Sequence, residues 1–209
     1  MIELGSPLAR GIVELGLSVN DTMQRQLLEY LALIEKWNRV YNLTAVRDPR
    51  DMLHRHLLDS LSVAPHVSAH FALDVGSGAG LPGIPLATAW PQTQVTLIDS
   101  NQKKTAFLQQ AVIELGLTNV TVVCDRVETW LPNHKFDLVI SRAFSDLSEL
   151  VEVAGRLCAA DGILAAMKGI YPHEELAQLT PEFKLERVIP LTVPGLSDAR
   201  HLVLLRPAH

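Results

Sequence analysis

Two patterns of apolar spacing divide the chain near residue 70. Before it, the spacing is helical. Ser6-Pro7 reads as a helix start with Pro7 at the first helical position. Asn20-Asp21 offers a cap for a long amphipathic helix in which Met23, Leu27, Leu28, Leu31, Ile34 and Val40 return at spacings near three and four. Asp48-Pro49 opens another helix, with Met52, Leu53, Leu57 and Leu61 on one face and Pro65 at its end. After residue 70 the pattern becomes short apolar runs separated by helical stretches. The runs are Phe71–Val75, Val95–Asp99, Val120–Cys124, Phe136–Ser141 and Ile163–Met167, with helices such as Lys103–Leu115 and Leu147–Leu157 between them. Near-continuous apolar runs alternating with helices predict an α/β fold, a parallel sheet covered on both faces. Two further runs, Phe183–Val193 and Arg200–Leu205, are joined by Pro194-Gly195-Leu196-Ser197-Asp198 without a helix, which predicts a terminal antiparallel pair. Residues 1–70 are therefore expected to form an N-terminal helical extension, and 71–209 the α/β domain.

Composition adds bounds. The chain has 209 residues, 48% hydrophobic and 20% charged, enough for a full core and too apolar for bulk disorder. Its net charge of −5 excludes a polybasic nucleic-acid coat but not a local basic patch. Cys124 and Cys158 form no Cys-x-x-Cys pair, so no disulfide framework or zinc knuckle is expected, and both sit in apolar runs as expected buried thiols. No signal peptide and no apolar stretch of transmembrane length is visible. A soluble, cytoplasmic, monomeric protein is the expectation.

The candidate chemistry starts at Leu73-Asp74-Val75-Gly76-Ser77-Gly78-Ala79-Gly80-Leu81-Pro82-Gly83, where a strand runs into a glycine-rich turn and then a helix. The spacing Gly76-x-Gly78-x-Gly80 differs from the dinucleotide fingerprint Gly-x-Gly-x-x-Gly. Asp74 stands where a pyrophosphate would be repelled, and the loop has no Lys or Arg. Asp99 closes the next strand, where a carboxylate commonly accepts ribose hydroxyls. Asp125 and Glu128 follow the third strand. Acids at three successive strand ends fit a ligand with a ribose, a cationic group and no phosphates, which is the chemistry of S-adenosylmethionine.

Methyl transfer from a sulfonium needs mainly positioning. After the fourth strand the chain reads Ile140-Ser141-Arg142-Ala143-Phe144, without the Asn/Asp-Pro-Pro-aromatic motif of enzymes that methylate exocyclic amines. Cys158, expected mid-helix, is a poor nucleophile for pyrimidine carbon methylation. An acceptor that is already nucleophilic remains, such as guanine N7.

Asn42-Leu43-Thr44-Ala45, His56-Leu57-Leu58-Asp59-Ser60-Leu61 and Asp74 through Ala87 resemble the bacterial small-subunit rRNA guanine-N7 methyltransferases, the glucose-inhibited division protein B family. Lys103-Lys104, Arg126-Val127-Glu128, Ser141-Arg142-Ala143, Lys168-Gly169 and Arg200-His201-Leu202-Val203 add to the resemblance, which spans about Leu27 to Leu205. It implies a Rossmann-like S-adenosylmethionine-dependent methyltransferase sheet acting on N7 of one guanine in 16S rRNA. It implies cofactor contacts from Asp74, Gly76, Gly78, Gly80, Leu81, Asp99, Val127, Glu128 and Arg142. Arg142 would sit where cofactor and target base meet and is the catalytic candidate.

An RNA partner requires local positive charge. From Lys36 to His56 the chain carries five Lys/Arg (Lys36, Arg39, Arg47, Arg50, Arg55) against two acids, a net +3, with Lys103, Lys104, Lys168 and Arg200 as extensions of the patch. His54, His56 and His201 lack a supporting ligand set, so no metal is expected. Three rivals stay open: a nicotinamide-dependent oxidoreductase, a non-catalytic ribosome-assembly factor on the same fold, and a small-molecule methyltransferase. Calorimetry with both cofactors separates the first. The intact acidic and glycine positions speak against the second, and the basic helices against the third.

Overall fold

The computed structural model describes residues 3–142, 144 and 146–208. One seven-stranded sheet organises it, built from β1 (Phe71–Val75), β2 (Gln94–Asp99), β3 (Val120–Cys124), β4 (Phe136–Ser141), β5 (Cys158–Lys168), β6 (Phe183–Pro190) and β7 (His201–Pro207). The order is β3-β2-β1-β4-β5-β7-β6. β1 to β5 are parallel, and β7 lies antiparallel between β5 and β6. The α/β class, the parallel sheet and the terminal antiparallel pair match the expectation.

The two-residue period of the strands divides the core into two layers. Leu73, Val75, Val139, Leu164 and Val203 face one side, where helix Leu147–Ala154 supplies Leu150 and Ala154. Ala72, Leu97, Leu138, Ile140 and Leu202 face the other, against helices Gly83–Ala89 and Gln102–Glu114. The N-terminal helices Gly5–Glu14 and Asp21–Tyr41 join this second layer. Leu8, Leu27, Tyr30 and Ile34 are fully buried in the same cluster as Ile84 and Phe107. The described part of the N-terminal segment, residues 3–70, thus shares a continuous core with the sheet.

Asn20 caps the long helix by accepting from the Met23 N–H at 3.0 Å, and Asn42, at φ 49°, ends it in the left-handed conformation. Asp48 caps the next helix, Pro49–Met52, which widens into a π-helical turn, Leu53–Leu58, before Asp59–Leu61. Met52, Leu53, Leu57 and Leu61 are all buried, but the π turn is not visible in their spacing.

Other details differ from the sequence reading. The first helix begins at Gly5, so Pro7 is its third residue. Val40 is 72% exposed because six residues after Ile34 is two-thirds of a turn off the buried stripe. Leu147–Leu157 is α-helical only to Ala154, with a 3₁₀ turn to Leu157. Cys158 therefore opens β5 rather than lying mid-helix, and an irregularity follows as Phe136 pairs with Cys158 but Leu138 with Ile163. Cys158 is buried as expected, whereas Cys124 is exposed because it ends an edge strand. Among the described residues no helix is long and apolar enough to cross a membrane.

Candidate cofactor and acceptor site

In an open α/β sheet the ligand crevice lies at the carboxyl ends of the strands where the strand order reverses. Here the reversal falls between β1 and β4, and a cleft opens there. Val75 and Gly76 form its floor at the end of β1. Ile98, Asp99 and Ser100 come from the end of β2, and Asp125 through Glu128 from the turn after β3. Lys104 and Phe144 complete the walls.

The glycine loop is held by its own backbone and by two carboxylates. The Gly76 and Ser77 amides donate to the Ile98 carbonyl at 2.9 and 3.1 Å. The Asp99 carboxylate accepts from the Gly78 amide at 2.9 Å and from the Asn101 amide at 2.8 Å. Each carboxylate oxygen retains a further lone pair, so Asp99 can still accept a ribose hydroxyl. Gly76 and Gly78, at φ 66° and 59°, adopt the left-handed conformation that glycine supports without strain. Gly80 serves packing as well, because a Cβ there would lie 2.7 Å from Ile84.

Asp74 was expected to face the ligand. The structure instead buries it completely beneath the loop, where its Oδ2 accepts from the Gly83 amide at 2.9 Å. Leu81 is buried too, and neither it nor Gly78, Gly80 or Arg142 lines the cleft. Tyr30, which the sequence reading did not single out, reaches from the N-terminal extension and donates to the Ala79 carbonyl at 2.5 Å. Burial raises its hydroxyl well above the ordinary value, so it is a standing donor. The cofactor loop therefore rests on both carboxylate and extension.

Burial pushes the Asp74 carboxyl up to about 7 against the pull of the Gly83 amide and Arg142. A carboxyl raised in the native state contributes stability that is present below its unfolded value and is lost as pH rises through the native one, a window from about 4 to 7. Asp74→Asn removes this dependence. The melting temperature of the variant minus that of the parent should become more favourable from pH 5 to pH 8. A constant difference in calorimetric melts at the two pH values would contradict it.

Arg156 was also missed. Its Nη2 donates to the carbonyls of Val127, Glu128 and Trp130 at 2.6, 3.1 and 2.7 Å. One guanidinium thus fixes the turn that carries Val127 and Glu128 to the cleft, and Glu128 lies 3.8 Å from Arg126.

At the end of β4, Ser141 donates to the Val75 carbonyl at 2.7 Å, tying it to β1. Arg142 follows and is partly buried, with Nη1 donating to the Arg55 carbonyl at 3.1 Å and to Asp59 at 3.2 Å. Ala143, part of the Ser141-Arg142-Ala143 motif, lies outside the described residues. His56 is buried against Thr44 at 2.9 Å, and its pKa is lowered to about 4 by burial first and by Arg142 next. His54 contacts the Pro194 carbonyl at 2.8 Å and His201 the Gly169 carbonyl at 3.2 Å. Among the described residues no group of three His, Cys, Asp or Glu could hold a metal.

The basic residues divide. Lys36, Arg39, Arg47, Arg50, Arg55 and Lys103 are exposed. Lys104 lines the cleft, 3.8 Å from Asp99. Lys168, expected on the patch, is 9% exposed and bridges the Phe144 carbonyl at 3.2 Å and Glu175 at 2.6 Å. A cation held between two internal acceptors cannot serve as a free phosphate contact. Arg200 is likewise drawn inward, onto Asp59 at 3.0 Å.

A Rossmann-like sheet with this crevice, glycine loop and acid set defines an S-adenosylmethionine-dependent methyltransferase. Comparison with known proteins narrows the class. A family model described as rRNA small subunit methyltransferase G matches residues 23–203, and the chain belongs to that family. A ribosomal RNA small subunit methyltransferase G of Nitrosospira multiformis is 57% identical over 208 residues, covering 96% of each chain. The protein of the same name from Laribacter hongkongensis is 53% identical, covering 98% of this chain and 99% of its own. Among solved structures, the glycopeptide N-methyltransferase MtfA complexed with S-adenosyl-L-homocysteine superposes with a TM-score of 0.63 at 10% identity. It covers 73% of this chain and 87% of that one, a likeness of fold.

Proposed function

We propose that the chain transfers the methyl group of S-adenosylmethionine to N7 of a guanine in 16S rRNA of the small ribosomal subunit. The observation that carries this reading is the 57% identity, across 96% of both chains, with a protein named for small-subunit ribosomal RNA methylation. The cleft supports it. Gly76 lets a ligand approach the backbone, Asp99 offers oxygens to a ribose, and Asp125 and Glu128 face the cleft as acids suited to a cationic ligand.

The cofactor supplies an electrophilic methyl on a sulfonium: a C–N bond to N7 forms as the C–S bond breaks, and the positive charge passes to the guanine. N7 has a free lone pair, so no side chain has to remove a proton. The work of the protein is then orientation and exclusion of water. Arg142, which follows the last residue of β4 and stands two residues before Phe144 of the cleft wall, holds an oxygen of the incoming nucleotide. Phe144, with its carbonyl fixed by Lys168, closes the same end.

The exposed cations from Lys36 to Arg55, with Lys103, supply phosphate contacts. Arg50→Glu should weaken binding of small-subunit rRNA several-fold and flatten its salt dependence, with cofactor affinity unchanged. Equal RNA affinity in filter-binding titrations would remove Arg50 from the patch. The reading as a whole is tested by methyl transfer from labelled S-adenosylmethionine to 30S subunits, free 16S rRNA and 50S subunits. Label confined to small-subunit RNA supports it, and label on 50S subunits alone contradicts it.

A further inference from the structure

Asp59 has a placement that its role in the core does not account for. It is 3% exposed and follows directly on the π turn Leu53–Leu58. Its Oδ2 accepts from Arg142 Nη1 at 3.2 Å and its Oδ1 from Arg200 Nε at 3.0 Å. The same Arg142 nitrogen donates to the Arg55 carbonyl inside the π turn at 3.1 Å. Around this carboxylate, Arg55 pairs with Asp198 at 2.9 Å, and Arg200 lies 3.9 Å from the same Asp198. Three segments remote in sequence meet here: the π turn, the end of β4 and the connection into β7.

A buried carboxylate that serves only to pin two elements together needs one partner, and replacing such pairs by apolar groups is often neutral. Asp59 instead divides its two oxygens between two guanidinium groups of different elements. Three arginines face two carboxylates, so the cluster keeps a positive charge. Arg142 would otherwise be a long side chain at a strand end with many rotamers to populate. Fixing Nη1 on Asp59 and on the Arg55 carbonyl aligns the planar guanidinium. Guanidinium has five N–H donors, so these contacts leave others for an acceptor.

We propose that Asp59 is the positioning residue of the methyl transfer: it holds Arg142 in register with the nucleotide that enters the cleft. The inference rests on the reading of Arg142 given above. A displacement of about 1 Å in a positioning group can cost on the order of 100-fold in rate. The role is therefore visible in turnover while the cofactor loop, fastened separately by Asp99, Asp74 and Tyr30, is unaffected.

The test uses the full chain and 30S subunits lacking the modification, with Asp59→Asn, Asp59→Glu, Arg142→Met, Arg200→Met and the Asp59→Asn/Arg142→Met pair. Asp59→Glu keeps the buried negative charge and shifts the carboxylate by one methylene, so it answers the question should the asparagine variant fold poorly. The expected result has four parts. Cofactor affinity by calorimetry stays within about 2-fold. Both Asp59 variants lower kcat on the order of 10- to 100-fold. The double variant falls no further than Arg142→Met, the non-additivity of two groups acting as one. Arg200→Met, which leaves the Asp59–Arg142 contact in place, lowers kcat less than Asp59→Asn does. Parent-like kcat in both Asp59 variants overturns the proposal, as does a fully additive double variant. An Arg200→Met loss of kcat equal to that of Asp59→Asn also overturns it, since Asp59 then acts through the β7 connection. If Arg142→Met itself turns over like the parent, it is the reading of Arg142 that fails.

Discussion

Gly76→Asp is expected to abolish binding of S-adenosylmethionine while the protein stays folded. Gly76 sits at φ 66° on the floor of the cleft, a conformation that costs a non-glycine residue roughly 1–2 kcal/mol and that aspartate tolerates better than most. At this chain length each lost kcal/mol lowers the melting temperature by about 2–4 °C, so the variant remains folded at ordinary temperatures. The loss falls on the cleft. A side chain enters where the ligand must approach the backbone, and its charge stands beside Asp99. Calorimetric titration should show affinity reduced on the order of 100-fold or more, about 2.7 kcal/mol or greater. Retained affinity would mean that the glycine loop is not the wall of the cofactor site.

Gly83→Val, seven residues further on, is expected to fail for the opposite reason. Gly83 is buried, and a Cβ there would lie 2.2 Å from Leu97 Cδ2 and 2.7 Å from Asp74 Oδ2. Neither neighbour can retreat cheaply: Leu97 and Asp74 are both fully buried, and Asp74 is bonded to the Gly83 amide itself. Overpacking of this kind costs about 1–3 kcal/mol, and loss of the Asp74 bond adds to it. The melting temperature should drop by roughly 5–10 °C, with cofactor affinity falling in parallel. A variant that melts with the parent would show that the helix after the loop has room the structure denies it. The two variants would therefore separate the proposed cofactor wall from a packing contact within one motif.

The elements of this fold were legible in the sequence because buried parallel strands write themselves as short apolar runs. All seven strands fall on such runs, and the cap residues Asn20 and Asp48 stand where expected. The placement of Asp99, Asp125, Glu128 and Gly76 at the cleft was legible because strand-end turns at the β1–β4 switch meet in one place, but that of Asp74 beneath the loop was not. The supports of the site were not. Tyr30 was not among the positions read along its helix, yet its hydroxyl holds the Ala79 carbonyl 49 residues away. Arg156 acts across 26 to 29 residues and Asp59 across 83 and 141, and nothing local marks a charge as internal. Lys168 misled for the converse reason. A lysine after an apolar run reads as a surface cation, but Glu175 and the Phe144 carbonyl give it an internal partner set. Cys124 shows the limit of the apolar run itself, since a run on an edge strand leaves part of its length open to solvent.

The N-terminal extension changes meaning in this light. Its bulk charge is near zero, with seven Lys/Arg against eight acids in residues 1–70, so composition gives it no role. In the structure it contributes Tyr30 under the cofactor loop, Asp59 against Arg142, and the exposed cations proposed to meet RNA. An α/β sheet of this kind needs cover on both faces. The helices that supply this cover also carry the cations proposed to meet RNA, so both rest on one shared core.

The central claim is that one guanine N7 of 16S rRNA is the methyl acceptor. Thirty-S subunits lacking the modification, incubated with the protein and labelled S-adenosylmethionine, should yield RNA whose nuclease digest carries the label in 7-methylguanosine, approaching one per subunit and mapping to a single position. Label recovered in any other nucleoside, or no transfer to 30S subunits or to free 16S rRNA, would contradict it.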